Sequence, residues 1–485
     1  MSRQAVLILA LAAVLSLAYG LSVRHGVALS DEYVYVVGAR YFADTLSLDA
    51  RFYSANAIMA QGHPHQDMHP PGYVLLLGSL HRLLPFGYWT AVILNLAAYA
   101  CGALAVRSLG RSLGVEDRAA TAAAVLFLLL PGYLPYVYWA LPEALVGALL
   151  VGVAAAAGRA RSWTSAAGVG AAFGVAVMVR ESVLFGLPAV WTLAAERKRW
   201  RAFTAGAALV VLSAYVPLSR HRAEGGTNFW RPTATDSAFA FDALREGWTG
   251  APLRALEGMR RQLAANASVF RRGFSATEKA ILAFYAALPL LALLRWRSRS
   301  AAQRRFLAAA AGGFLALAAA TATLFAVPPW SGLRYWMLFP PLFLPLLTDG
   351  MAGTAGRSAF ALALAAGALL DVAVLKTFNA YKASRQARQQ DLTDYVDRHV
   401  GGAPLTRVVL ENGWLFGLRH YPVEVLSTPP PDFEGLFLLQ RDLWFDYVAA
   451  APHGALAGGL ARSGRYERIN GGEMDPPLVL YRRLR

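Results

Sequence analysis

Acids, histidines and a Pro-Pro turn crowd one stretch of an otherwise apolar chain. Ser30-Asp31-Glu32 follows the first hydrophobic segment, and His63-Pro64-His65-Gln66-Asp67-Met68-His69-Pro70-Pro71-Gly72 closes the same loop. A carboxylate there could take a proton from an attacking hydroxyl, and imidazoles could meet phosphate charge or a metal ion. Neighbouring residues on a helix point about 100° apart. One of Asp31 and Glu32 would therefore face the reacting atoms while the other orients it or meets a metal. The triplet also has a plain structural use, since Ser is a good N-cap and acids suit a helix's first turn. His63, His65, Asp67 and His69 alternate, and extended backbone would put all four on one side. That pattern makes His65 and Asp67 candidate ligands for a divalent metal ion, against the alternative of a solvated polar loop. Pro70-Pro71 biases His69 toward extended backbone.

Three other positions carry charge where an apolar chain rarely does. Glu143 opens a hydrophobic run directly after the turn from Pro131 to Pro142. A lone carboxylate at that depth needs a partner or a polar cavity. Arg180 and Arg334, the latter followed by Tyr335, are the cations of the short connections on the same face as the 30–73 loop, and an anionic phosphate would need them. Each has a simpler use: Arg180 with Glu181 as a mutual pair, Arg334 snorkelling to lipid headgroups. Tyr133, Tyr136, Tyr138, Trp139 and Trp330 read as interfacial anchors.

The elements that must position these residues are membrane helices. Of 485 residues, 56% are hydrophobic and 16% charged, and the mean hydropathy is +0.39, which excludes an ordinary soluble protein. Basic residues outnumber acidic ones 46 to 30; in a membrane protein that excess reflects topology, and nucleic acid is not an expected partner. With Cys101 as the single cysteine, neither a disulfide framework nor a cysteine metal site can form.

Roughly eleven spans of the length that crosses ~30 Å of hydrocarbon are expected, at 4–23, 88–106, 119–138, 143–158, 165–179, 183–195, 203–218, 277–294, 306–326, 335–348 and 358–376. The first reads as an uncleaved helix, not a removed signal. Arg107, Arg111, Arg159, Arg161, Arg299, Arg304 and Arg305 gather in alternate connections and mark the cytoplasmic face. The amino terminus then lies inside, with the 24–87 and 219–276 loops and everything after 376 outside, in a bacterial-type inner (plasma) membrane. Loop 219–276 contains an amphipathic stretch, with Leu253, Leu256, Met259 and Leu263 at helical spacing among arginines. Residues 377–485 read as a small extracytoplasmic α/β domain: a helix at 391–399, strands at 407–410 and 435–439, a helix around 444–450 and a final run at 478–484.

An Asp-Glu pair after the first span, a basic residue before Pro-Pro closing the same loop, an acid after the second outer turn, a cation after the fifth span and Arg-Tyr after the ninth resemble one family in their order. The chain resembles the GT-C membrane glycosyltransferases, in the group of the protein O-mannosyltransferases and lipid A aminoarabinose transferases, over about residues 1–376. The resemblance implies an all-α polytopic catalytic module. It also implies a polyprenyl-phosphate-linked sugar donor, used as a hexosyl- or pentosyltransferase on the outer face with a glycan, lipid or protein as acceptor. Asp31 matches the acid taken as catalytic base and Glu32 its companion. Glu143 stands where many relatives have Asp, Arg180 where many have Lys, and His69 where the aminoarabinose transferases have Lys before Pro-Pro. Met68 replaces the acid that precedes that Lys, so one expected metal ligand is missing. A single displacement with Asp31 as base, and Arg180, Arg334 and His69 at the donor phosphate, would invert the anomeric configuration. Two other classes compete: a transporter or flippase of lipid-linked sugars, which would call for mid-membrane charges and repeated halves, and an assembly subunit without catalysis.

Overall fold

The computed structural model describes residues 2–26, 32, 35–36, 39, 42–43, 46, 71–84, 87–196, 198–223, 251–324, 333–349, 354–400, 408–410, 447–450, 455–471 and 479–484. The helical body comprises α1 (Arg3–Ser22), α2 (Gly72–His81), α3 (Tyr88–Ser112), α4 (Asp117–Leu128), α5 (Tyr133–Val137), α6 (Glu143–Ala157) and α7 (Trp163–Val179). It continues through α8 (Leu187–Glu196), α9 (Trp200–Ala223), α10 (Ala251–Arg272), α11 (Ala276–Leu293), α12 (Ala301–Leu324), α13 (Leu333–Trp336), α14 (Pro340–Asp349) and α15 (Thr354–Val400).

Among the described residues, five helices are long and apolar enough to cross a membrane: α1, α3, α11, most of α12, and Phe360–Ser384 of α15. Shorter apolar helices pack between them. α1 shows why this is a membrane protein: it is apolar all round, yet only Ile8, Ala12 and Tyr19 and a few neighbours are buried while Leu7, Val14, Leu17 and Leu21 project outward. The outward face can only be served by lipid. The chain is an integral membrane protein of many helices with a small carboxyl-terminal sheet.

Close approach is set by small residues, because lipid gives apolar helices no hydrophobic reason to associate. α7 and α9 touch so tightly that a methyl group on Gly170 would collide with the Phe203 carbonyl oxygen, and one on Gly206 with that of Ala167. The amphipathic α10 turns its polar side inward: Asn266 Nδ2 donates to the Ala322 carbonyl of α12 at 2.8 Å, with Gln262 buried beside it. Leu256 and Leu263 point away from the protein, the arrangement that a helix lying at a lipid interface needs.

The two ends of the bundle differ in chemistry. At one, Arg107 grips Asp117 with two bonds of 2.7 and 2.9 Å, Arg299 pairs with Asp349 and Arg305 with Glu196. At the other lie Glu32, Glu143, Arg180, Arg334 and Lys382, all buried.

Four expectations from sequence change. The 119–138 span is two helices, α4 and α5, because Pro131-Gly132 and Pro135 cannot sustain one helix. The 335–348 span is likewise split into α13 and α14 ahead of Pro340-Pro341. The last span does not end at 376: α15 is a 47-residue helix that absorbs the pattern at 391–399. Beyond it, β1 (Val408–Leu410) pairs in parallel with β2 (Tyr447–Ala450), followed by α16 (Ala455–Arg462), β3 (Tyr466–Gly471) and β4 (Val479–Arg483), in the sheet order β1-β2-β4-β3. The helix expected around 444–450 is thus a strand in part, its Tyr-Val pair recruited into the sheet between β1 and β4. The strand expected at 435–439 lies outside the described residues.

Candidate active site at an interrupted helix

The stretch from Leu128 to Pro142 breaks the helical ladder inside the bundle, where every freed backbone group needs a partner. Surrounding side chains supply them. Tyr99 donates to the Leu128 carbonyl and Tyr285 to that of Pro131. Asp371 Oδ1 accepts from the Gly132 amide at 2.7 Å. Asn95 Nδ2 reaches the carbonyls of Trp139 at 2.8 Å and Leu141 at 3.0 Å. Tyr88 donates to the Tyr138 carbonyl, Lys382 Nζ donates to the same oxygen at 3.0 Å, and Glu32 Oε1 accepts from the Ala140 amide at 2.8 Å. Gly132 turns the chain at a φ of +81°, a conformation most side chains resist. Tyr133, Tyr136, Tyr138 and Trp139 are all buried in this turn; they pack the interior and are not the lipid-facing anchors that their composition suggested. Trp330 lies outside the described residues.

The interruption delivers Glu143, the first residue of α6, to a buried position. α6 and α7 run antiparallel, so the end of α7 returns to the start of α6. There Arg180, in extended backbone just past α7, puts Nη1 3.1 Å from Glu143 Oε1. Arg334, from the short α13, brings Nε to 3.7 Å from the same oxygen. The Tyr335 ring receives both guanidiniums, centred 5.1 and 5.2 Å away, and Arg334 Nη2 donates to its hydroxyl at 3.3 Å. Arg180 Nη1 also donates to the Tyr35 hydroxyl at 3.4 Å, and the Tyr35 ring meets Tyr73 edge-on at 5.0 Å. Among the described residues neither oxygen of Glu143 receives a well-aligned hydrogen bond, and charge draws this cluster together. Two guanidiniums side by side repel one another, and an anion placed between them is attracted by both.

Arg180 pairs with Glu143 across two helices, not with its neighbour Glu181, and Arg334 is buried instead of snorkelling. The structure therefore brings together Glu143, Arg180, Arg334 and Tyr335. Glu32 joins them through the turn that carries Glu143. Asp31, His65, Asp67 and His69 lie outside the described residues. Among the described residues no three His, Cys, Asp or Glu side chains converge. Glu143 shares its pocket with two cations, so this part of the site does not fit a metal ion.

No family model matches the chain, and no curated protein is similar to it in sequence. Solved structures do match in fold. ArnT from Cupriavidus metallidurans superposes in its apo state with a TM-score of 0.59 at 14% identity, over 98% of this chain and 97% of that one. The same protein bound to undecaprenyl phosphate gives 0.57 at 15% identity over the same shares. The chain has the GT-C fold. The archaeal oligosaccharyltransferase AglB from Archaeoglobus fulgidus, in complex with an inhibitory peptide and a dolichol-phosphate, shares it at 13% identity with a TM-score of 0.50. That match covers 92% of this chain and 69% of AglB.

Within this GT-C frame several polar residues escape a reading of the sequence. Asp371 sits in an apolar run, and a lone acid inside a span is a signal in itself. Asn95 is similar but uncharged. Lys382 gives none, because it lies in a basic stretch that resembles the solvated exit of a helix.

Proposed function

We propose that this protein is a glycosyltransferase that moves a sugar from a polyprenyl-phosphate-linked donor to an acceptor hydroxyl in one inverting displacement. The observation that carries this reading is the convergence of two buried guanidiniums, Arg180 and Arg334, beside Glu143 and Tyr335. Polyprenyl phosphate is already a competent leaving group. What it requires is a preorganised positive site where its negative charge grows, in surroundings that exclude water. Each charge-assisted bond to the departing phosphate supplies on the order of 1.5–3 kcal/mol. ArnT, with the same fold, has been captured with undecaprenyl phosphate, which supports a lipid phosphate as the anion.

Asp31 is the proposed base, with Glu32 as its companion. A free Asp, with a pKa near ~3.9, is a weak base. Proton removal late in the displacement lifts that limit, once an oxocarbenium-like sugar has acidified the attacking oxygen. His69 completes the donor phosphate site in this reading. The acceptor is a glycan, lipid or protein hydroxyl on the extracytoplasmic face, and residues 377–485 form a domain on that face. The boundary at 376/377 falls inside α15, so the helical body and that domain share one helix.

The test is transfer in proteoliposomes supplied with an undecaprenyl-phosphate-linked sugar, with products read by mass spectrometry. Asp31→Asn should abolish transfer while insertion and expression remain normal. Near-normal turnover in that variant removes the base. Translocation of the donor without a glycosidic product would replace the enzyme with a flippase.

A further inference from the structure

Lys382 is completely buried on α15, and the functional reading above gives it nothing to do. A buried ammonium is costly unless its hydrogens are met. Here Nζ donates to two carbonyls at 3.0 Å, those of Gly26 and Tyr138. It also lies over the rings of Tyr88 and Trp139, 5.2 and 5.4 Å from their centres, a favourable arrangement for a desolvated cation. The two carbonyls belong to segments far apart in sequence. Gly26 lies just past α1, and Tyr138 is in the turn that leads to Glu143.

Lys382 is flanked on its own helix face by Asn379 and Gln386, at i−3 and i+4. Asn379 Oδ1 accepts from the Arg24 amide at 2.7 Å, and its Nδ2 donates to the Ser22 carbonyl at 2.7 Å. Gln386 Nε2 donates to the His25 carbonyl, and its Oε1 accepts from Arg24 Nε. One face of α15 thus binds the backbone at residues 22, 24, 25 and 26 in succession. His25 packs against Trp89 with ring centres 4.6 Å apart. Gly26 has a φ of +103°, where a side chain is strained, and a methyl group there would come within 2.7 Å of Gln386 Nε2 and push that amide aside.

We infer that Asn379, Lys382 and Gln386 are positioning residues. They clamp the exit of α1, from which the acid-bearing loop departs, to the turn that presents Glu143. The clamp adds to the contact between Glu32 and the Ala140 amide, so the exit of α1 and the turn before Glu143 are held to one helix as well as to each other. The inference rests on the glycosyltransferase reading for its catalytic consequence, not for the clamp itself. Misplacement of reacting groups by about 1 Å can cost about 100-fold in rate, while the arginine pair that would hold phosphate is untouched.

The full-length protein in lipid nanodiscs carries the test, with Lys382→Met and Asn379→Leu as variants and Lys376→Met, exposed on the same helix, as control. Turnover should fall about 100-fold in Lys382→Met, with affinity for undecaprenyl phosphate within about threefold of wild type. Hydrogen exchange should accelerate in peptides covering 20–26 and 138–142. Lys376→Met should match wild type in every reading. Turnover within about threefold of wild type, affinity lost in parallel with turnover, or unchanged protection at 138–142 would each overturn the clamp. If Lys382→Met does not insert, Asn379→Leu gives the same readings. If the wild-type protein transfers no sugar, the functional reading fails while exchange still decides the clamp.

Discussion

Glu143 Oε1 lies 3.1 Å from Arg180 Nη1, and both side chains are only 3% exposed. Breaking a buried pair by removing one partner costs about 3–5 kcal/mol, because the other charge is left uncompensated. Arg334 shares the same carboxylate, so Glu143→Gln would leave two guanidiniums facing each other.

That predicts a specific pattern. Glu143→Gln melts well below wild type in detergent, and undecaprenyl phosphate raises its melting temperature by more than it raises that of wild type, since the lipid's phosphate replaces the missing anion. Arg180→Gln instead weakens binding of the same lipid by about 10- to 100-fold, the loss of one charge-assisted bond. Thermal-shift and binding measurements check both. Equal lipid shifts in Glu143→Gln and wild type would mean that the arginines do not face the phosphate.

The break between α4 and α5 makes a second prediction. Asp371 is the acceptor for the Gly132 amide, so Asp371→Ala orphans a buried donor and costs about 1–3 kcal/mol. Asp371→Asn keeps an acceptor oxygen and loses less, while Gly132→Ala adds strain at a positive φ. Melting temperatures in detergent should therefore fall from wild type to Asp371→Asn and again to Asp371→Ala. If both substitutions of Asp371 melt alike, the carboxylate is not what holds the turn.

The sequence made the membrane helices, the basic end of the bundle and the charged residues Glu143, Arg180 and Arg334 legible, because charge in apolar surroundings stands out whatever the fold. Its spacing could not show that these three meet: they are 37 and 154 positions apart, and only the antiparallel return of α7 and the short α13 unite them. The aromatic turn misled because Tyr and Trp serve equally well as lipid anchors and as packing for an interrupted helix, and the choice depends on what surrounds them. Lys382 was invisible for a related reason. A lysine in a basic helical stretch reads as solvated until the fold closes over it.

Orientation decides which compartment the site faces, and it can be read directly. Arg107, Arg159 and Arg305 occupy the bundle end opposite Glu143, and arginines near span ends resist translocation. Ser162 lies at that end, in the connection between α6 and α7, whereas Leu83 follows α2 at the Glu143 end and is 81% exposed. In a chain whose only native cysteine, Cys101, is replaced by Ala, Leu83→Cys should react with a membrane-impermeant maleimide in intact cells. Ser162→Cys should react only after permeabilisation. The reverse pattern would place Arg180 and Arg334 on the cytoplasmic side, and a donor presented on the outer leaflet could no longer reach them.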